Sequence, residues 1–246
     1  MRIGIFSDIH GNCVALDAAL EDIDRHGVDS SVCLGDALQG GCQPVDVVQR
    51  LKDLNCPVIL GNADSWLLTG RVETESSEKV SDRMQEVGDW SRAQLGAEGI
   101  AYIESFLPTH EVALEGGKSL LAFHGSPSSF DEVILPDMPS EGMRQAVGDV
   151  QANVLAGGHV HLQWVGEVGD SLFLNPGSVG VSYNRMLPRE AFYIYPFAEY
   201  AILTSESESL TVEFCRVPFS VELLEKAALA SGRPYADGEA AQYRPR

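Results

Sequence analysis

Along the first sixty residues, short apolar runs alternate with amphipathic stretches. Residues 2–7 (RIGIFS) form an apolar run closed by Asp8, which predicts a β-strand. From Asn12, a favoured helix-capping residue, Val14, Leu16, Ala19, Leu20 and Ile23 recur at helical spacing until Gly27 ends the pattern. Residues 31–34 predict a second strand, ending at Gly35-Asp36. Pro44 opens a second helix carrying Val45, Val47, Val48 and Leu51. Residues 57–60 predict a third strand, ending at Gly61-Asn62. Strand–helix–strand–helix–strand order implies right-handed crossovers and a parallel sheet, hence an α/β fold.

Beyond residue 62 the texture changes. Residues 63–108 are more polar and mainly helical in pattern. From 111 the chain reads as short strands at 111–114, 119–123, 153–156, 163–168, 172–174, 191–195 and 210–217, with helices at 140–150 and 220–230. Their close spacing predicts a second, largely antiparallel sheet packed on the first. The polar, Gly/Pro-containing segment 232–246 is expected to be a loosely ordered tail behind a single domain of residues 1–231.

Composition narrows the class. The chain is 44% hydrophobic and 22% charged, as in ordinary soluble proteins, and no apolar run reaches the length of a membrane span. Asp8 interrupts the N-terminal apolar stretch, which therefore reads as a first strand and not as a secretory leader; a cytoplasmic location is the expectation. The cysteines, Cys13, Cys33, Cys42, Cys56 and Cys215, are odd in number and contain no C-x-x-C pair, against a disulfide framework or a structural zinc site. A net charge of −19 without a basic stripe argues against nucleic acid as a partner. An anionic substrate would need bound divalent cations to invert the local field.

The candidate chemistry sits at the ends of predicted strands: Asp8-Ile9-His10, Gly35-Asp36, Gly61-Asn62, His124-Gly125 and Gly158-His159-Val160-His161. Carboxyl ends of parallel strands point into the crevice where α/β proteins bind ligands, so these side chains should converge. They offer carboxylate, amide and imidazole donors and no thiolate, a set suited to Mn²⁺, Fe²⁺ or Zn²⁺. Seven ligands are too many for one catalytic ion with open positions and suit two ions sharing a carboxylate. Taken singly, each element has a bland alternative: Asp8 as a turn or cap, GD and GN as turn dipeptides, His124 as a core histidine. The H-x-H pair is stronger, because an extended segment aims both rings to one side. The ordered set points to a metal centre.

The order D-x-H, GD, GN, H, G-H-x-H resembles the calcineurin-like metallophosphoesterase superfamily, and its small bacterial and archaeal phosphodiesterase branch most of all. The likeness runs from Met1 to about Val181, through SDIHGN, LGD, LGNAD, FHGSP, GGHVH and NPGSVG. It implies a four-layer α-β-β-α sandwich of two mixed sheets flanked by helices. It also implies that Asp8, His10 and His161 bind a first metal and Asn62, His124 and His159 a second, with Asp36 bridging; Asp36, Asn62 and His124 form the catalytic set. The implied cofactors are two divalent ions from among Mn, Fe, Zn, Co and Ni, with Mn favoured. The implied reaction is in-line attack by a metal-bridging hydroxide on a small-molecule phosphate ester, a phosphodiester by preference.

Two motifs depart from the family pattern. Many members read G-N-H-[DE] where this chain has Gly61-Asn62-Ala63-Asp64. Ala63 cannot protonate a leaving group, a role worth about 10²–10⁴-fold; either the leaving group is good or another residue supplies the proton. Related small phosphodiesterases often lack this histidine too. Asp64 is then expected to cap the following helix. Gln39 replaces the second aspartate of G-D-x-x-D, and residues 40–44 are expected as a loop beside the pocket, with Cys42 an inert thiol. Asn12 and Arg185 are candidate phosphate contacts, set against helix capping and a solvated surface position. The Asn175-Pro176-Gly177-Ser178 turn resembles a family loop near the metals. The alternatives are a non-catalytic scaffold of the same fold, a phosphomonoesterase or a nuclease. Seven competent ligands weigh against the first and the acidic surface against the last.

Overall fold

The computed structural model describes residues 1–73, 78–186 and 193–243. Strand β1 (Arg2–Phe6), helix α1 (Cys13–Arg25), strand β2 (Ser30–Cys33) and helix α2 (Pro44–Leu54) follow the hydrophobic periodicity. Asn12 caps α1, its Oδ1 accepting from Ala15 N–H at 3.0 Å. β1 and β2 run parallel, with Ile3 beside Ser30 and Phe6 beside Cys33. The third expected strand shrinks to isolated bridges, Cys33 with Val58 and Ile59 with Leu107. Pro57 has no N–H to extend the ladder. The expected helical region holds α3 (Asn62–Thr69) and α4 (Glu78–Ile103), which is broken at Gly96, where φ is +57°.

The second sheet contains β3 (His110–Ala113), β4 (Ser119–Ala122), β5 (Val154–Ala156), β6 (Gln163–Val168) and β7 (Ser171–Pro176) in the order β3-β4-β5-β7-β6. It is mixed, and not largely antiparallel as expected. β4, β5 and β7 are parallel, and only the outer strands run against them. The β4–β5 connection is long enough for a crossover because it carries α5 (Ser140–Val147).

β8 (Phe197–Ser205) and β9 (Leu210–Pro218) correct the sequence reading further. Instead of joining the second sheet, their hairpin pairs antiparallel with β1, giving the order β2-β1-β8-β9. The strand expected at 191–195 falls partly outside the described residues, and its last three residues are not strand. β8 escaped detection because both of its faces are buried. Ala198, Tyr200 and Ile202 meet the helices, while Ala201 and Leu203 meet the other sheet, so no polar–apolar alternation survives.

Three apolar interiors define the layers. Ile3, Ile5, Val32 and Leu203 face Leu120, Ala122, Val154 and Leu174 between the two sheets. Phe6, Tyr200 and Ile202 pack against Leu16 and Ile23 of α1, Leu51 of α2 and Leu224 of α6 (Val221–Ser231). Leu155, Trp164 and Phe173 pack against Met143 and Val147 of α5. The result is two mixed sheets face to face with helices outside.

Residues 232–243 are not the loose tail their polarity suggests. The Tyr243 ring is 4% exposed and meets Phe219 edge-on at 5.5 Å. Its hydroxyl donates to Gly180 O at 2.6 Å, and Arg233 Nε donates to Gly40 O at 2.7 Å. Tyr243→Phe, which keeps the ring and removes the hydrogen bond, should cost about 1 kcal/mol and lower Tm by roughly 2–4 °C. An unchanged thermal melt would mean that the segment is not docked in solution.

Candidate metal centre

Each of the seven candidate metal-binding residues lies in the loop that follows the carboxyl end of a strand or of the bridged 58–59 segment. Asp8 and His10 follow β1, Asp36 follows β2, and Asn62 follows the bridged 58–59 segment and opens α3. His124 follows β4, while His159 and His161 follow β5. The ends of parallel strands from both sheets thus meet at one edge of the sandwich.

They gather into two groups. Ligand atoms of Asp8, His10 and His161 lie within 4.8 Å of one another, as do those of Asp36, His124 and His159. Asn62 Oδ1 joins the second group, 3.1 Å from His124 Nε2 and 3.0 Å from His159 Nδ1. Asp36 stands between the groups, its Oδ2 3.4 Å from His124 Nε2 and 3.9 Å from His10 Nε2.

The backbone is bent hard to achieve this. Asp8, His10, Asp36, His159 and His161 all have φ between +49° and +68°. The left-handed region costs a non-glycine residue roughly 1–2 kcal/mol, and such outliers cluster where function requires them. Cross-links between loops hold the shape: Asp8 N–H donates to Gly35 O and His10 N–H to Asp36 O, both at 2.9 Å. Gly158 admits the close approach of β1's end, because a Cβ there would collide with Ser7 Oγ and sit 3.1 Å from Asp8 Oδ2.

Three imidazoles have their tautomers set by main-chain carbonyls that no sequence motif reveals. Nδ1 of His10, His124 and His161 faces Gln39 O, Leu34 O and Val181 O at 2.9, 2.8 and 2.7 Å. A carbonyl only accepts, so each Nδ1 carries the hydrogen and each Nε2 is turned toward the centre.

Asp64 does not cap α3 as expected. It is fully buried, and its carboxyl accepts from Ala37 N–H at 3.0 Å and Leu38 N–H at 3.0 Å, holding the turn after Asp36. Burial, and then the charge of Asp36, push its pKa up to about 7. Ala63 takes part through its main chain, donating to Asp36 Oδ1 at 2.8 Å. In the 175–178 turn, Ser178 Oγ donates to Asp8 O at 2.8 Å and Asn175 Nδ2 to Gly158 O at 2.6 Å, so both brace the ligand loops from behind.

The electrostatics fit two cations. Asp8, Asp36 and His124 are buried, and Asp8 Oδ1 lies 3.1 Å from His161 Nε2. Burial alone would raise the Asp36 carboxyl, but His124 beside it holds it well below the usual range. Burial would likewise lower His124, yet Asp36 lifts it to about 10. Asp8 and His161 repeat this in the first group, against burial: the acid is lowered and the ring raised. Burial, and then the charged neighbouring ring, push His10 down and His159 down to about 4. The two carboxylates and four rings are thus strongly coupled across each group, and the oxygen and nitrogen set without thiolate suits a divalent ion in each place.

The centre opens into a cavity of about 1400 Å³ whose wall includes Trp66 of α3, Arg83 and Met84 of α4, Asp131, Arg185, and Arg233 and Tyr235 from the C-terminal segment. Arg185 is thus placed where it can meet a phosphate. Asn12 is not: it is 1% exposed, and its amide is committed to Ala15 N–H, Gly180 O and the Tyr243 hydroxyl. Cys42 lies behind the 40–41 loop, buried, with burial pushing its thiol up to about 12.

Residues 1–194 match the calcineurin-like phosphoesterase superfamily domain. An uncharacterized protein of Methanocaldococcus jannaschii is 28% identical over 185 residues, which cover 72% of this chain and 69% of that protein. Among solved structures, a metallophosphoesterase from Sphaerobacter thermophilus superposes with a TM-score of 0.71 at 26% identity over 99% of each chain. A hypothetical protein from Pyrococcus horikoshii OT3 shares the fold, with a TM-score of 0.80 at 21% identity, covering 100% of this chain and 99% of that one.

Proposed function

This chain belongs to the calcineurin-like phosphoesterase superfamily, and from that premise we propose that it hydrolyses a small-molecule phosphodiester with two divalent ions, manganese by preference. Asp8, His10 and His161 would hold one ion and Asn62, His124 and His159 the other, with Asp36 shared. The observation that carries this reading is the place of Asp36 between two donor groups, within 3.9 Å of a ring nitrogen in each. When bound, the ions supply charge neutralisation at phosphorus and a nucleophile at neutral pH.

The protein's own residues do the rest. Three imidazoles locked by carbonyls keep their nitrogens aimed without reorganisation. Arg185 offers a cation to a phosphate oxygen on a molecule whose net charge of −19 otherwise repels anions. A cavity of about 1400 Å³ has room for an organic group on either side of the phosphate, which favours a diester. No helix among the described residues is long and apolar enough to cross a membrane. The five cysteines are free, which suits a reducing compartment such as the cytoplasm.

Chelator-stripped protein given Mn²⁺ should hydrolyse bis(p-nitrophenyl) phosphate faster than p-nitrophenyl phosphate. His161→Ala should lower that activity by about 100-fold or more, beyond the typical effect of changing a residue behind the ligands. No turnover of either ester with two ions bound per chain would replace the enzyme with a non-catalytic metal-binding scaffold. A faster monoester would make it a phosphomonoesterase.

A further inference from the structure

Ala63 leaves the centre without a side chain at the position where many relatives carry a proton-donating histidine. The four histidines present all turn ring nitrogens into the two donor groups. A proton source, if the protein has one, must therefore come from the cavity wall. Among the described residues, three carboxyl side chains there lie outside the donor groups: Glu73, Asp131 and Glu239. Glu239 is 5% exposed and paired with Arg233 at 3.6 Å. Glu73 lies in the α3–α4 connection and makes no hydrogen bond or ion pair with these loops among the described residues.

Asp131 differs from both. It belongs to the loop that leaves His124, turns through a Ser126 N–H to Ser129 O bond of 2.7 Å, and comes back over its own start. The return is close: a Cβ on Gly125 would meet Phe130 O and Glu132 N, the main-chain atoms flanking Asp131, each at 2.7 Å. The main chain on either side of Asp131 is thereby held against Gly125, next to His124, and Asp131 stands exposed on the cavity wall. Its main-chain N–H is fastened by Ser129 Oγ at 3.2 Å, while its carboxyl makes no hydrogen bond or ion pair with any described residue. An acid carried on the cavity wall near a metal group, with no carboxyl partner among the described residues, is placed to give its proton to a substrate atom.

The geometry points to Asp131 as the general acid of the reaction, taking the role that Ala63 cannot fill. This inference rests on the phosphodiesterase reading above. The oxygen of water forms the new bond to phosphorus and releases a proton to solvent. The P–O bond to the leaving group breaks, its electron pair goes to the departing oxygen, and that oxygen takes the Asp131 proton. The carboxylate is then reprotonated from solvent, so the balance is diester plus water to monoester plus alcohol. Partial burial lifts the Asp131 carboxyl above its ordinary range, and then so does the charge of Asp36; among the described residues Asp36, His124 and Glu73 are the charged groups within its reach.

The test is a series of aryl phosphodiesters whose leaving phenols rise in basicity from p-nitrophenol to unsubstituted phenol, given to the Mn²⁺-loaded wild type and to Asp131→Asn. The wild type should fall shallowly in kcat/KM along the series. The variant should lose least at the p-nitrophenyl end and about 10²-fold at the phenyl end, the lower range for loss of a positioned acid. Metal content per chain and Tm should match the wild type. A wild-type dependence as steep as the variant's, or equal losses on every ester, would overturn the assignment. So would loss of metal in Asp131→Asn, which would make the residue part of the ion site. A wild type that turns over none of the esters would fail the phosphodiesterase reading itself, whatever the variant does.

Discussion

Asp36→Ala should leave the protein with no tightly bound metal and lower turnover by about 100-fold or more. The magnitude follows from what the side chain touches. Its Oδ2 lies between His124 Nε2 at 3.4 Å and His10 Nε2 at 3.9 Å, and its Oδ1 is fixed by the Ala63 N–H at 2.8 Å. Changing a residue that only braces a ligand typically costs 10–100-fold in metal affinity or activity, and a ligand shared by two ions must cost more. His161→Ala, by contrast, removes a donor from the first group alone and should leave the second ion in place. Metal content by mass spectrometry separates the two variants. Two ions retained in Asp36→Ala would rule out a bridging role.

Because the variant binds no ion tightly, the stabilisation added by Mn²⁺ should disappear from its thermal melt. Asp36→Asn, which keeps the shape and an oxygen for the Ala63 N–H, should melt above Asp36→Ala without metal and still fail to bind two ions.

Gly61→Ala should be nearly as damaging to function, although it adds one methyl group. Gly61 has φ −93° and ψ 169°, a conformation any residue can adopt, so backbone freedom is not what requires glycine there. Space is. A Cβ would overlap Asp36 Oδ1 and the Asp36 main-chain nitrogen. The end of β2 lies directly on the entry to α3, and that closeness lets Ala63 N–H reach the Asp36 carboxylate. Overpacking of this kind costs about 1–3 kcal/mol, or roughly 2–12 °C in Tm for a chain of this size. The larger effect is on turnover: a shift of about 1 Å in the shared carboxylate can cost on the order of 10²-fold. Normal metal content and kcat in Gly61→Ala would show that the Asp36 loop yields without consequence.

Much of this protein is legible along the chain. α1 and α2 announce themselves because each buries one face and so recurs with the helical period, and β1 and β2 because each is a short apolar run closed by a polar turn residue. The seven polar residues at strand ends are legible for a related reason: strand-terminal Asp, Asn and His beside glycine are chemically distinctive wherever the chain goes. Their meeting follows from parallel topology, which Asp8, Asp36 and Asn62 already imply.

What the chain does not display is which distant atom each group meets. β8 carries no period because both its faces are covered, and its pairing with β1 joins residues about two hundred positions apart, as Ile3 opposite Leu203. Tyr243 and Arg233 look like tail residues until Gly180 O and Gly40 O come within reach. Asn12 reads equally as a cap or a phosphate contact, and only burial against Tyr243 excludes the second. Asp64 reads as a helix cap, but its carboxyl reaches the main chain of the turn behind Asp36. The carbonyls of Gln39, Leu34 and Val181 that orient the imidazoles belong to the main chain, which every residue has, so no side-chain pattern could single them out. Sequence determines the donors and the local periods, because both are properties of side chains. Tertiary structure decides tautomers, braces and the cavity wall, because those are properties of which atoms lie within about 3 Å of each other.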